Sequence, residues 1–443
     1  MASTDTHTKN EALEPIAANA REFAWHTHAS LWFSLGVGLL VMQVGAYLVP
    51  AAGTRDAALA IVLGSLVGAG LLAWTARIGC NSGQSSAALM HGTFGSAFAR
   101  LPVVLNIAQL IGWTTFELVI MRDGTAAIAA QSFGIEAGSM AASVLPTLLW
   151  GAVLVLLLAG SMTTLVRKTI SRYALPLVIA SLVWLTWQFG VRLSAQDLSA
   201  FWARTGDGSM GLPAAMDLVV AMPVSWLPLV ADYARHGKSG KGAFAGTFIG
   251  YVAANIWCYA LGVMVASVTA PDVDLVNALL LAQGGLIALS LILVDEIDNA
   301  YGDVYSGAVS THSVIPTISI RQWGMGIALL CTLLALVLPM RSIEPFLLTL
   351  SSVFVPLFGV ILGSTTREHL RPTGLGPLAR VHWPAALLWV AGIALYQGLS
   401  NGMPQWGATL PTFFVTYAIA RTLQTAGWLK GTGAALPVAQ SRG

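Results

Sequence analysis

Met222-Pro223-Val224-Ser225-Trp226-Leu227-Pro228 stands inside an apolar run that covers 212–234. The run is close to the roughly 20 residues that cross a bilayer as a helix. A proline inside a helix removes a backbone hydrogen bond and crowds the preceding turn. Pro223 and Pro228, with Ser225 and Trp226 between them, therefore predict an interrupted membrane helix. Backbone groups freed at membrane depth are tolerated where protein re-satisfies them or where they line a cavity. The first apolar run, 29–50, carries Gly36 and Gly38 in its core and is a second point of unwinding. Interrupted helices at matching positions of two halves point to a transport site; an ordinary proline kink is the simpler alternative.

Outward from these two runs the pattern recurs, and apolar stretches between polar breaks give about twelve helices. They cover 29–50, 56–78, 99–130, 141–165, 169–190, 212–234, 242–270, 276–307, 322–340, 344–365, 383–400 and 407–428. Of 443 residues, 56% are hydrophobic and only 9% charged, with mean hydropathy +0.73. Soluble chains are about 25% charged, so this one has too few charges to cover a soluble surface. The expected class is an all-α polytopic membrane protein. Of the 22 Lys and Arg, only Arg55, Arg192, Arg204 and Arg341 fall in loops opposite the N-terminus, and Arg122 and Arg421 fall within spans. Basic residues mark the cytoplasmic side, which predicts an even number of spans with both termini cytoplasmic, in the inner (plasma) membrane. Residues 1–28 read as a cytoplasmic tail without a signal peptide, and 429–443 as a second tail.

Other classes lose ground on what the chain lacks. Cys80, Cys258 and Cys331 are far apart and make no metal-ligand pair. The chain has no phosphate-binding glycine loop, no HExxH and no GxSxG, and its histidines fall in tails, loops and helix ends. An enzyme is therefore not expected, nor is a resident cofactor. The net charge of +2 is spread over loops, without the basic and aromatic surface that binds nucleic acid. The expected partners are a small molecule and the bilayer, with the chain a monomer or weak oligomer.

Polar residues within spans are costly and mark functional sites. Asn106, Gln109, Trp113 and Glu117 are spaced three, four and four apart, so they share one helix face. An amide, an indole and a carboxylate on one face can stack and hydrogen-bond a flat heterocycle. Alternatively Trp113 packs on a neighbour and Glu117 pairs with Arg122. In the eighth run, Asp295, Asp298 and Asn299 share a face within Asp295-Glu296-Ile297-Asp298-Asn299, and such oxygen ligands suit hard cations or protons.

Together these segments resemble the nucleobase–cation symporter family of purine and pyrimidine permeases, with most likeness to cytosine and hydroxymethylpyrimidine permeases. The resemblance runs from about Leu31 to Leu423. It rests on Gln109-Leu110-Ile111-Gly112-Trp113, on the stretch from Ser225-Trp226-Leu227-Pro228 to Asp232-Tyr233-Ala234-Arg235, on Asp303-Val304-Tyr305-Ser306, and on Ser352-Val353-Phe354-Val355-Pro356-Leu357-Phe358. It implies a LeuT-type fold, a 5+5 inverted repeat within 29–366 with helices 1 and 6 broken, and two peripheral helices within 367–428. It also implies a secondary active transporter that stacks a base on Trp113. Substrate contacts are expected from Gln109, Glu117, Ser225 and Asp295, with Trp226 as the second stacking face because Pro223 stands where an aromatic is expected. The coupling ion, Na+ or H+, is expected near Gly36, Asp298 and Asn299. A transporter of amino acids or other amines on the same fold is the alternative function, and a membrane-embedded enzyme a weaker one.

Overall fold

The chain between Ser34 and Leu39 reads Leu35-Gly36-Val37-Gly38, and there the first span breaks. The computed structural model describes residues 10–136, 139–160, 173, 175–271, 273–338, 343–366, 375 and 378–429. In it α1 (Trp25–Ser34) and α2 (Leu39–Ala52) meet at an angle of 61°. Gly36 suits the bend because a Cβ there would stand 2.8 Å from the Ala254 Cβ. After α2 come α3 (Thr54–Ser82), α4 (Ser86–Phe94), α5 (Arg100–Phe133), α6 (Met140–Leu158), α7 (Leu175–Ser194) and the short α8 (Leu198–Ala203). The sixth span is α9 (Leu212–Ser225) and α10 (Leu227–Ala234), joined at Trp226. Then follow α11 (Gly240–Val268), the short α12 (Leu275–Leu280), α13 (Gly285–Val314), α14 (Ile320–Val337), α15 (Ile343–Ser364), α16 (Trp383–Gly402) and α17 (Thr409–Thr425).

The two interruptions differ. The first leaves four residues outside helix, whereas the sixth is a one-residue kink within a single 23-residue span. The backbone bookkeeping explains the difference. Pro223 cannot donate to the Val219 carbonyl, and the Tyr259 hydroxyl donates to it instead at 3.3 Å. Pro228 cannot donate to the Val224 carbonyl, which takes the Trp226 N–H. Both freed acceptors are re-satisfied by protein, so the chain stays nearly continuous.

The order of element lengths repeats along the chain. A span interrupted or kinked along its length opens each half; α3 and α11 are both 29 residues long; a short helix, α4 or α12, follows. Then α5 and α13 have 34 and 30 residues, α6 and α14 have 19 and 18, and α7 and α15 have 20 and 22. Five spans per half is an odd number, so the second half enters the membrane from the other side. This is the expected inverted repeat, and α16 and α17 pack outside it on α15. Eight described helices are long and apolar enough to cross a membrane, and the bent first pair makes a ninth. The acids of α13 and the shorter or more polar α16 and α17 keep those three below that measure, although they complete the expected twelve segments.

Helices approach closely at small residues. Gly246 and Gly250 place α11 against the Trp25 and Ala29 carbonyls of α1, and a Cβ on Gly262 would collide with the Met42 carbonyl of α2. Gly262→Val is therefore expected to destabilise the fold by roughly 1–3 kcal/mol, as overpacking does. It should lower the melting temperature in detergent, and an unchanged melting temperature would contradict this close packing. On α6, Leu145, Leu148, Leu149 and Leu156 stay exposed along one face, as a lipid-facing side requires.

The first span starts at Trp25 rather than 29, and the preceding residues are not a free tail. Ser85 Oγ donates to the Ala12 carbonyl at 2.6 Å, and Asn10 Nδ2 donates to the Ser313 carbonyl at 3.0 Å. Lys9, Arg167, Lys168, Arg172, Arg341, Arg367, Arg371, Lys430 and Arg442, and the second tail from 430, lie outside the described residues.

Candidate functional site

The stripe on α5 forms as its spacing predicts, with Asn106, Gln109, Trp113 and Glu117 all buried. Its first two residues do structural work. Gln109 Nε2 donates to the Ser225 carbonyl at 3.1 Å and to Asn106 Oδ1 at 2.9 Å, and Asn106 Nδ2 donates to the Pro228 carbonyl at 3.2 Å. The amides thus hold the backbone of the kink at Trp226, leaving Gln109 Oε1 buried without a partner. Ser225 Oγ donates back to the Met222 carbonyl at 2.7 Å.

Trp113 and Glu117 face a narrow cavity, together with Leu35, Val37 and Gly38 of the first break, Ser225 and Trp226 of the kink, and Glu296 and Asn299 of α13. Trp113 is held edge-on by Phe346, ring centroids 5.2 Å apart, and Trp226 edge-on by Trp32 at 5.9 Å. The cavity measures about 20 Å³, room for about one water, so a heterocycle enters only if these walls part. Glu117 does not pair with Arg122, which binds Asp123 at 2.7 Å and donates to the Ala335 carbonyl at 2.8 Å. Among the described residues, Glu117 Oε2 and Asn299 Oδ1 are buried acceptors without partners, and Trp113 Nε1 is a donor without one.

The structure divides the α13 acids into two sets. Glu296 Oε1 accepts the Leu39 N–H at 2.5 Å, capping the start of α2, where the helix dipole favours a carboxylate. Asn299 Nδ2 donates to Glu296 Oε2 and to the Val37 carbonyl, both at 3.1 Å. Asp295 and Asp298 turn instead toward the end of α1, where Ser34 Oγ donates to Asp295 Oδ1 at 2.8 Å and approaches Asp298 Oδ2 at 3.4 Å. So Asp295, expected at the substrate, lies with Asp298, while Asn299, expected at the ion, lines the cavity. Gly36 faces Ala254 and Tyr251, and Gly38 is the glycine that faces Glu296 and Asn299. Glu296 is the site residue that the sequence reading passed over, although it stood inside the acidic run. Its signal was the three-residue step to Asn299, hidden by the competing step from Asp295. Among the described residues, no three His, Cys, Asp or Glu side chains are arranged to hold a metal ion.

Asp232, from the sixth-span signature, is fully buried away from the cavity. It accepts the Ser86 N–H at 2.9 Å and the Ser306 hydroxyl, while Ser86 Oγ accepts the Ala231 N–H at 3.2 Å. Three elements, α4, α10 and α13, meet on this one carboxylate. Asp232→Ala leaves two buried donors unpaired, each costing about 1–3 kcal/mol. A marked loss of thermal stability is expected, and wild-type melting would contradict the lock.

An interrupted first span and a kinked sixth span converging on a buried, acid-lined cavity within an inverted repeat define a membrane transporter of the LeuT type. A family model for permeases of cytosine and purines, uracil, thiamine and allantoin matches residues 15–419, and the chain belongs to that family. A solved structure of Mhp1, a nucleobase-cation-symport-1 family transporter, in a closed conformation with bromovinylhydantoin bound, is similar with a TM-score of 0.78. It is 15% identical, and the match covers 98% of each chain. The inward-facing conformation of Mhp1 gives 0.74 at 16% identity, over 95% of this chain and 93% of that one. A Na+-coupled sialic acid symporter, substrate-bound and outward-open, gives 0.62 at 11% identity, over 97% and 93%. At these identities the likeness is one of fold. A comparison with curated protein sequences returns no match.

Proposed function

We propose that the protein imports a small nucleobase-like heterocycle by alternating access, with cytosine or an aminopyrimidine such as hydroxymethylpyrimidine as the best fit, coupled to Na+ or H+. The observation that carries this reading is the chemistry of the cavity. It presents two indoles, two carboxylates and an unpartnered amide oxygen, with no Lys, Arg or His among the described residues of its lining. Such a pocket suits a flat ligand rich in N–H donors. An aminopyrimidine offers an exocyclic amine and, beside it, a ring nitrogen that can carry a proton, and one carboxylate can accept from both. In this reading Trp113 and Trp226 stack the ring, Glu117 takes the donor edge, and Gln109, Ser225 and Glu296 set the walls. A base without matching donors leaves buried acceptors unpaired, at about 1–3 kcal/mol each.

The cation belongs, in the same proposal, to the Ser34, Asp295 and Asp298 group at the first break, whose two acids directly precede the cavity residues Glu296 and Asn299 on α13. The support is geometric: two carboxylates meet one hydroxyl in a buried place, and charge there calls for a cation or a proton. The transport core is assigned to 29–366 and the peripheral helices to 367–428, with both termini cytoplasmic in the plasma membrane, as the loop charges support. Because the cavity carries carboxylates and, among the described residues, no cationic side chain, an amine or amino acid transporter is the second reading.

Uptake of labelled cytosine and labelled hydroxymethylpyrimidine, competed with unlabelled pyrimidines and with amino acids, separates the two. Competition by pyrimidines and not by amino acids is expected. Uptake of neither label, with amino acids transported instead, would overturn the proposal. Imposing a Na+ gradient or a pH gradient across proteoliposomes identifies the ion.

A further inference from the structure

Far from the substrate cavity, a groove of about 210 Å³ opens on the outside of the bundle between the ends of α3, α15 and α17. Two guanidinium groups, Arg77 and Arg421, stand on it, both exposed. Arg421 Nη1 donates to the Thr365 carbonyl at 2.9 Å, which fixes its side chain at the end of α15. The sequence reading placed Arg421 within a span, but this bond brings it to the same end of the bundle as Arg77. Among the described residues neither guanidinium has a carboxylate partner. The floor is aromatic, with Trp74 edge-on to Tyr417 and ring centroids 5.4 Å apart. Indole and phenol rings of this kind settle at the boundary between headgroups and hydrocarbon.

Helical spacing of three and four residues carries the same two faces beyond the groove into the apolar zone. One turn from Trp74, a Cβ on Gly70 would meet nothing within 4 Å, so the glycine leaves an open trough. Leu66, four residues before Gly70 on α3, and Phe414, three before Tyr417 on α17, are exposed and fall on the same helix faces. Two cationic forks at a membrane boundary, above an aromatic ledge and an apolar trough, match a phosphodiester attached to acyl chains. Arginine binds phosphate oxygens in pairs, and basic pockets between membrane helices hold anionic headgroups.

We propose that this groove is a binding site for one anionic phospholipid, its phosphodiester between Arg77 and Arg421 and an acyl chain along Gly70. The lipid wedges between core helices α3 and α15 and peripheral α17, and its site is separate from that of the transported molecule.

Native mass spectrometry of the purified protein with phosphatidylglycerol, or with phosphatidylcholine of the same chains, tests this. The wild type is expected to retain phosphatidylglycerol preferentially. R77Q should reduce that retention about 5-fold and the R77Q/R421Q pair about 20-fold, as each cationic contact is removed. R77Q changes an exposed side chain without a partner among the described residues, so its melting temperature without lipid should match wild type and serve as the folding control. Equal retention of the two lipids, or a phosphatidylglycerol preference that survives in R77Q/R421Q, would overturn the site. Displacement of the lipid by millimolar inorganic phosphate alone would instead show a soluble-anion site and overturn the lipid assignment.

Discussion

Glu117→Gln is expected to lower uptake of labelled cytosine or hydroxymethylpyrimidine about 100-fold while the protein still reaches the membrane. The carboxylate is buried, one of its oxygens has no protein partner, and Arg122 is occupied by Asp123. In the proposed complex it accepts two N–H groups, and hydrogen bonds to charged groups contribute about 1.5–3 kcal/mol each. A glutamine keeps the shape, loses the charge and turns an N–H toward a donor, so most of both contributions disappear. Trp113→Ala should be comparably severe, because it removes a stacking face and loosens Phe346 beside it. Labelled uptake, normalised to the amount of tagged protein in membranes, is the measurement. Normal transport by both variants would end the site assignment.

Asp298→Asn is expected to separate binding from drive. Asp298 meets Ser34 and Asp295 at the end of α1 and does not line the cavity. The variant should still exchange labelled for unlabelled substrate across proteoliposomes but fail to concentrate it against a gradient. If Na+ couples, Na+ should raise the melting temperature of the wild type and not of the variant. If H+ couples, wild-type uptake should rise as the outside is acidified, and the variant's should be flat. Concentrative uptake by Asp298→Asn under both gradients would remove this group from the coupling role.

Much of the architecture was legible in the residues because membrane helices announce themselves by length and apolarity. Pro223 and Pro228 marked the sixth-span kink, and Gly36 and Gly38 marked the first break. What sequence could not supply was which neighbour would take each freed backbone group. Tyr259 answers Val219, forty residues away, and only the tertiary placement of α11 reveals that. The α5 stripe was readable from its helical step, yet its division of labour was not. Asn106 and Gln109 support the kink, and Trp113 and Glu117 face the cavity. On α13 the step was ambiguous, since Asp295, Glu296, Asp298 and Asn299 offer overlapping faces. The rotation of α13 against α1 and α2 decided which acids share a partner, and that rotation is a tertiary property.

Asp217 has a role that a list of spans does not reveal. It lies on α9 and accepts the Ala408 and Thr409 N–H groups at 2.5 and 3.0 Å, capping the first turn of α17. The last helix, although outside the inverted repeat, is therefore tethered to α9, the arm of the sixth span that precedes the kink at Trp226. Any movement of that arm would have to carry α17 with it or break these two charge-assisted bonds, so the peripheral helix is mechanically coupled to the sixth span.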